Sequence, residues 1–303
     1  MSNNISILGA GFIGLNLVNY YLSLKGYKVR VLDRNPKPKE MSEEVEWIQG
    51  NLGVYEDIVK AISGSQIVFH LISNTVPGDM VDINKELFEH VLQTIQLLDI
   101  CVRHSVKRVI FISSASVYGI QSKLPISESS LPSPISSHGI QKLTIEHYLH
   151  LYLYDFGLDY KIMRLSNPYG KGQNLFGRQG IISILLGNIL SKQKMKIRGD
   201  GTAIRDYIYI DDVIRALFLA ASTESKKNVF NIGSGQGVTL NEVVYEVSSL
   251  LGQVINVEYI GTRKADIPSS VLDVSLAQME LGFTPRFSLR DGLKQYLLFN
   301  KLL

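Results

Sequence analysis

Residues 136–142 read SSHGIQK, and the apolar spacing of the LTIEHYLHLYL that follows predicts a helix beginning here. His138 and Lys142 are four apart, so they project from one helical face near its start. An imidazole that titrates close to neutrality can take up and return a proton, and a lysine beside it can bind a hydroxylated or anionic ligand. A solvated helix face could carry the same two residues. What separates the two readings is the company that the pair keeps.

A second set of residues sits at the start of the chain. ISILGAGFIG places Gly9, Gly11 and Gly14 after a predicted strand and at the opening of a predicted helix, and the next strand ends in Asp33. Glycines let the turn form and let a pyrophosphate approach the helix N-terminus, while an acid about 20 residues on accepts the ribose hydroxyls. The carboxylate of Asp33 would repel a 2′-phosphate, which favours NAD over NADP. The competing explanation is a tight strand-to-helix turn that needs glycine for its own geometry. A third set, Ser113, Ser114 and Ser116 in VIFISSASVYG, closes another predicted strand. Serines at a strand end commonly cap a turn, but the C-terminal ends of strands are where open α/β sheets bind ligands.

These residues must be positioned by the elements around them. Apolar, β-branched runs at 5–8, 29–32, 45–49, 67–71, 109–113 and 160–165 read as strands, alternating with helical patterns at 13–24, 55–62, 84–103 and 139–154. Such alternation, with nearly continuous apolar strands, predicts an α/β fold built on a doubly wound parallel sheet of the Rossmann type. Past residue 168 the alternation fades into YGKGQNLFGRQG and SKQKMKIRGDGT, with helices expected at 181–190, 211–221 and 240–251. The expected organisation is a nucleotide-binding domain over 1–168 and a smaller C-terminal substrate-binding domain over 169–303.

Composition narrows the function classes. The chain has 303 residues, 45% hydrophobic, enough to bury a substantial core. Its formal net charge of +3 comes from basic residues spread along the sequence, so no nucleic-acid footprint is expected. The single cysteine, Cys101, lies in the apolar helical pattern, excludes an intrachain disulfide and fits a buried structural role in a reducing compartment. No apolar run approaches about 18 residues, and the N-terminus lacks a basic n-region. No membrane insertion and no metal site are expected, and the expected location is the cytoplasm.

The order GAGFIG, LD, VFHLIS, SSASVYG, HGIQK, RLSNPYG, GDGTAIRDYIYIDDV, NIGSG and LDVSLAQMELGFTPRFSLRDGL resembles the extended short-chain dehydrogenase/reductase family across essentially the whole chain. Within it the sequence is most similar to NAD-dependent nucleotide-sugar epimerases and dehydratases of the UDP-glucose 4-epimerase kind. The resemblance implies epimerisation at C4 of a nucleotide-diphosphate sugar through a transient 4-keto intermediate, with NAD retained throughout. Dehydratases of the family carry an Asp-Glu pair where Ala115 and Ser116 stand here, so dehydration is disfavoured. A 4-keto-sugar nucleotide reductase and a catalytically weak or inactive sugar-nucleotide-binding homologue remain as alternatives.

Residue by residue, the resemblance implies that Ser114, His138 and Lys142 are the catalytic set, with His138 where the family has tyrosine. The family's pattern would put Thr and Gly at Ile7 and Leu8 and aspartate at Asn51. Cofactor contacts are implied for Gly9, Gly11, Phe12, Ile13, Gly14, Asp33, Asn51, Leu52, Lys142 and Pro168. Substrate contacts are implied for Ser114, Ser116, Asn167, Arg205, Arg263 and Asp266. The segment 205–222 is expected to pack back on the first domain, and the family's habit implies a homodimer built from paired helices.

Overall fold

Strand β1 (Asn3–Leu8) buries four consecutive residues, Ile5 to Leu8. Alternate side chains serve separate cores: Ile5 and Ile7 join one and Leu8 the other, while Ser6 donates its hydroxyl to the Ala61 carbonyl at 2.6 Å. Such runs belong to a sheet covered on both faces. The computed structural model describes residues 3–73, 82–177, 179–262 and 267–303. After β1 come β2 (Tyr27–Asp33), β3 (Glu46–Gln49), β4 (Ile67–His70), β5 (Arg108–Ser114) and β6 (Asp159–Leu165). Between them lie α1 (Phe12–Leu22), α2 (Tyr55–Ile62), α3 (Ile83–Glu86), α4 (Gln93–Arg103) and α5 (Ser137–Phe156).

The second lobe is built from shorter pieces: β7 (Asn167–Tyr169), α6 (Ile181–Leu190), β8 (Met195–Arg198), β9 (Ile204–Tyr209), α7 (Ile210–Ser222), β10 (Val229–Ile232), β11 (Gly237–Thr239), α8 (Leu240–Leu251), β12 (Val257–Ile260), β13 (Ser269–Ser270), α9 (Ser275–Leu281) and α10 (Leu289–Phe299). The large sheet has seven parallel strands in the order β10-β6-β5-β4-β1-β2-β3. The order reverses between β1 and β4, and ligands bind outside the carboxyl ends of strands at such a switch point.

Two features go beyond what the sequence predicts. The seventh strand, β10, which the sequence does not predict, comes from past residue 168 and lies beside β6. The packing of α7 against α1, by contrast, concerns the segment 205–222 that is expected to fold back. The helical run expected over 84–103 is α3 and α4 joined by a π-helical stretch, Leu87–Leu92. π-Helical turns are rare and concentrate at functional sites.

Candidate active site

At the end of β1 the chain turns through Gly9, whose φ is +96°. A Cβ on Gly9 would lie 3.0 Å from the Ile72 nitrogen, and one on Gly14 would lie 2.0 Å from the Gly9 carbonyl oxygen. These two glycines are needed to seat α1 on the turn. Gly11 is different, because a Cβ there would meet nothing within 4 Å. Turn geometry explains Gly9 and Gly14, whereas Gly11 faces open space and borders a cleft of about 270 Å³ at the switch point. Phe12 and Ile13 form the first turn of α1 with side chains packed on the core, and a helix leaves the backbone N–H groups of its first turn without intrahelical partners.

Asp33 stands at the cleft edge as the second strand ends. Its Oδ2 accepts the Ala10 N–H at 2.7 Å, and its Oδ1 accepts the Asn35 backbone and side-chain N–H groups at 2.8 and 2.9 Å. A carboxylate accepts about four bonds, so capacity remains for a ligand hydroxyl. Asn51 and Leu52 line the far end; the Asn51 Oδ1 accepts the Gly53 N–H at 2.9 Å, which leaves its amide NH₂ as the group to offer. The residues present fit a dinucleotide, with pyrophosphate at Gly11 and the α1 N-terminus, ribose at Asp33 and adenine at Asn51 and Leu52.

The second half of the site is the start of α5. Ser136 caps this helix, its Oγ accepting the Gly139 N–H at 3.1 Å. A Cβ on Gly139 would lie 2.6 Å from the Ser116 carbonyl oxygen and 2.9 Å from the Pro134 Cβ. Glycine at this position therefore lets the start of α5 rest directly on the turn that follows β5. That 3₁₀ turn, Ala115–Tyr118, is capped by Ser114, whose Oγ accepts the Ser116 N–H at 3.1 Å and keeps its own proton to donate. The Ser116 Oγ is buried with no hydrogen-bond partner among the described residues.

Lys142 is 2% exposed. Its Nζ donates to the Ile112 carbonyl at 2.8 Å and stands 4.7 Å from the centre of the Phe111 ring. Burial pushes this ammonium down to about 7, with Glu146 one turn further along α5 working against the shift. Burial, then the charge of Lys142, pushes His138 down to about 3. Desolvation is the larger of the two causes. A neutral imidazole beside a buried cation can accept a proton from a hydroxylated ligand. Behind them Glu146 accepts from Arg164 through Nε and Nη2 and from Ser113 Oγ at 2.5 Å, a buried pair that fixes the middle of α5 to β5 and β6.

In the second lobe, Asn167 Nδ2 donates to the Asp206 carbonyl at 2.9 Å, Pro168 lies on β7, and Arg205 lies on β9 with its Nη1 donating to the Ile204 carbonyl at 2.9 Å. Pro168 pairs with Ile208 in the register that joins β7 to β9, which aligns the three residues along one small sheet. Arg263 and Asp266 lie outside the described residues. The cleft lining also includes polar residues that were not singled out from sequence: Arg34, Asn35, Ser73, Glu89 and Gln93. Ser73 was findable as the residue after VFHLI, since its position is the carboxyl end of β4. Cys101 is fully buried, and burial pushes its thiol up, consistent with a structural role. Among the described residues no group of three or more His, Cys, Asp or Glu could hold a metal ion, and no helix is long and apolar enough to cross a membrane.

Comparison with known proteins follows the same outline. The model of the NAD dependent epimerase/dehydratase family matches residues 5–233. The chain is 31% identical to the UDP-glucose 4-epimerase of Thermotoga maritima, solved with UDP-glucose, with a TM-score of 0.93 over 98% of each chain. It is 34% identical to MoeE5, solved with UDP-glucuronic acid and NAD, with a TM-score of 0.89 over 99% of each chain. It is 29% identical to a dTDP-4-dehydro-6-deoxyglucose reductase of Escherichia coli, covering 95% of this chain and 94% of that one.

Proposed function

Because the chain belongs to the NAD-dependent epimerase/dehydratase family, we propose that it inverts C4 of a nucleotide-diphosphate sugar, a UDP-sugar foremost, with NAD held in the cleft. The observation that carries this reading is the Gly139–Ser116 contact, which seats the start of α5, with His138 and Lys142, on the turn that Ser114 caps. The likeness to enzymes solved with UDP-glucose and with UDP-glucuronic acid and NAD supports both the substrate class and the cofactor.

When bound, NAD supplies the reversible hydride acceptor that makes a ketone at C4 accessible. Ser114 orients the C4 hydroxyl by donating its free proton. His138, held neutral, accepts the hydroxyl proton. The nearby Lys142 ammonium opposes a lasting imidazolium, so the proton is returned when the C4–H bond re-forms. Imidazole is shorter than phenol, and a bridging water can make up the reach. Asn167 and Arg205, with Arg263 and Asp266, are proposed to hold the nucleotide diphosphate, an arginine fork matching phosphate oxygens in a way lysine cannot.

The likeness to a 4-keto-sugar reductase favours a second reading. Asp33 weighs against it, because a carboxylate already fixed at the ribose position disfavours exchangeable NADPH. A third, a binding protein without turnover, is motivated by His138. Following C4 inversion by NMR across UDP-, dTDP- and GDP-sugars separates the three: inversion with retained NAD supports the epimerase, NADPH-dependent reduction supports the reductase, and binding without turnover supports the last. We also propose a homodimer. Exposed Ile140, Leu151 and Tyr154 follow one another along α5, and Phe88 and Leu92 are exposed on the preceding helical run, giving an apolar face for a second copy.

A further inference from the structure

Glu86, the last residue of α3, is 7% exposed, and Gln141, inside α5, is 1% exposed. Buried polar side chains are retained where they are paired, and these two are paired with each other. One carboxyl oxygen of Glu86, Oε2, accepts the Ser137 hydroxyl at 2.6 Å and the Gln141 Nε2 at 2.8 Å. The same Nε2 donates its second proton to the Ser137 Oγ at 2.8 Å, which closes a ring of three hydrogen bonds. The amide brings two protons and the hydroxyl one, so the ring needs an accepting oxygen from residue 86.

Ser137 and Gln141 are four apart and stand one above the other on α5. Successive residues of an α-helix are about 100° apart around its axis, so His138 projects between the directions of Ser137 and Gly139. Both flanking directions are anchored, Ser137 to Glu86 and Gly139 against the Ser116 carbonyl, where a Cβ would come within 2.6 Å. A packing contact resists approach but not rolling, so the roll of α5 is stopped by the directional hydrogen bonds to Glu86. A group about 5–6 Å from a helix axis moves about 1 Å when the helix rolls by about 10°. We propose that Glu86 is a positioning residue for His138: through Ser137 and Gln141 it fixes the roll of α5, and with it the place of the imidazole. The role calls for an accepting oxygen at residue 86 and not for a charge, so glutamine should serve there and leucine should not.

This role rests on the epimerase reading for its catalytic meaning but is tested without turnover. The ring ¹³Cε1–H resonance of His138, assigned by its loss in His138→Asn, is compared at one pH among the NAD-loaded unaltered protein, Glu86→Leu and Glu86→Gln. Glu86→Leu should shift or broaden it, and Glu86→Gln should bring it back. In turnover of a UDP-sugar, Glu86→Leu should cut kcat about 10–100-fold with KM within about twofold, because a displacement of about 1 Å acts on the chemical step. Gln141→Leu should do the same, and the double variant should be no slower than the slower single, since both changes break one ring. An unmoved resonance in folded Glu86→Leu overturns the proposal, as do rate losses that multiply in the double variant. A shift that Glu86→Gln fails to reverse assigns the effect to charge and overturns it too. Should Glu86→Leu fail to fold, Gln141→Leu carries the comparison, a moved resonance supporting the clamp and an unmoved one overturning it. Absence of C4 inversion by the unaltered protein would count against the epimerase while leaving the His138 resonance to decide the role of Glu86.

Discussion

The backbone of Gly139 rests on the carbonyl of Ser116, so closely that a methyl group on Gly139 would stand 2.6 Å from that oxygen. This contact seats α5 on the serine turn. Alanine has the better helix propensity by about 1 kcal/mol, so Gly139→Ala would stabilise an isolated helix. Here it should instead destabilise the protein by about 1–3 kcal/mol, because the clash is with backbone. A displacement of about 1 Å at His138 should cut turnover about 100-fold. Paired melting and rate measurements check both signs.

Asp33 braces the glycine turn through Ala10, and its remaining accepting capacity is what we propose holds the ribose. Asp33→Ala should weaken NAD binding by about 1.5–3 kcal/mol, the worth of a charged hydrogen bond. Calorimetric titration with NAD and NADP gives the comparison. Tighter NADP than NAD binding by the unaltered protein would count against the assignment.

Much of this site was legible in sequence. Gly9, Gly11, Gly14 and Asp33 announce themselves because a strand, a helix and an acid must follow one another in short order. His138 and Lys142 share a face because helical spacing is local. What was not legible depends on distant packing. β10 is four residues long, and nothing in VFNI says that it lies beside β6. The π-helical stretch is hidden because one wide turn hardly changes the apolar spacing, and Glu86 and His90 then sit buried in a pattern that would expose a polar residue or fill its place with an apolar one. Burial of His138, the main cause of its neutral state, is likewise a property of the assembled lobes.

Burial holds His70 and His138 down to about 3, with Lys142 adding to each, and lowers His90 for the same reasons. In the unfolded chain each titrates near 6.5. Between these limits the unfolded state binds more protons, so stability present above about pH 6.5 is lost as pH falls towards 3. Urea midpoints measured down this range should decline, and His70→Asn should flatten the slope by up to about one proton. An unchanged slope would show that His70 is not buried neutral.

The apolar face on α5 should govern assembly. By light scattering the unaltered protein should run at about twice the 33.9 kDa monomer mass, and Leu151→Glu with Tyr154→Glu should bring it to monomer. A dimer that survives both changes would place the interface elsewhere.

The central claim is inversion at C4 with the hydrogen returned to the carbon it left. A UDP-sugar deuterated at C4 is incubated with the purified protein in ordinary water and followed by NMR. Interconversion of the two C4 epimers with deuterium kept at C4 in both is the result expected, with no added cofactor required. No inversion, or inversion with deuterium lost to solvent, would contradict it.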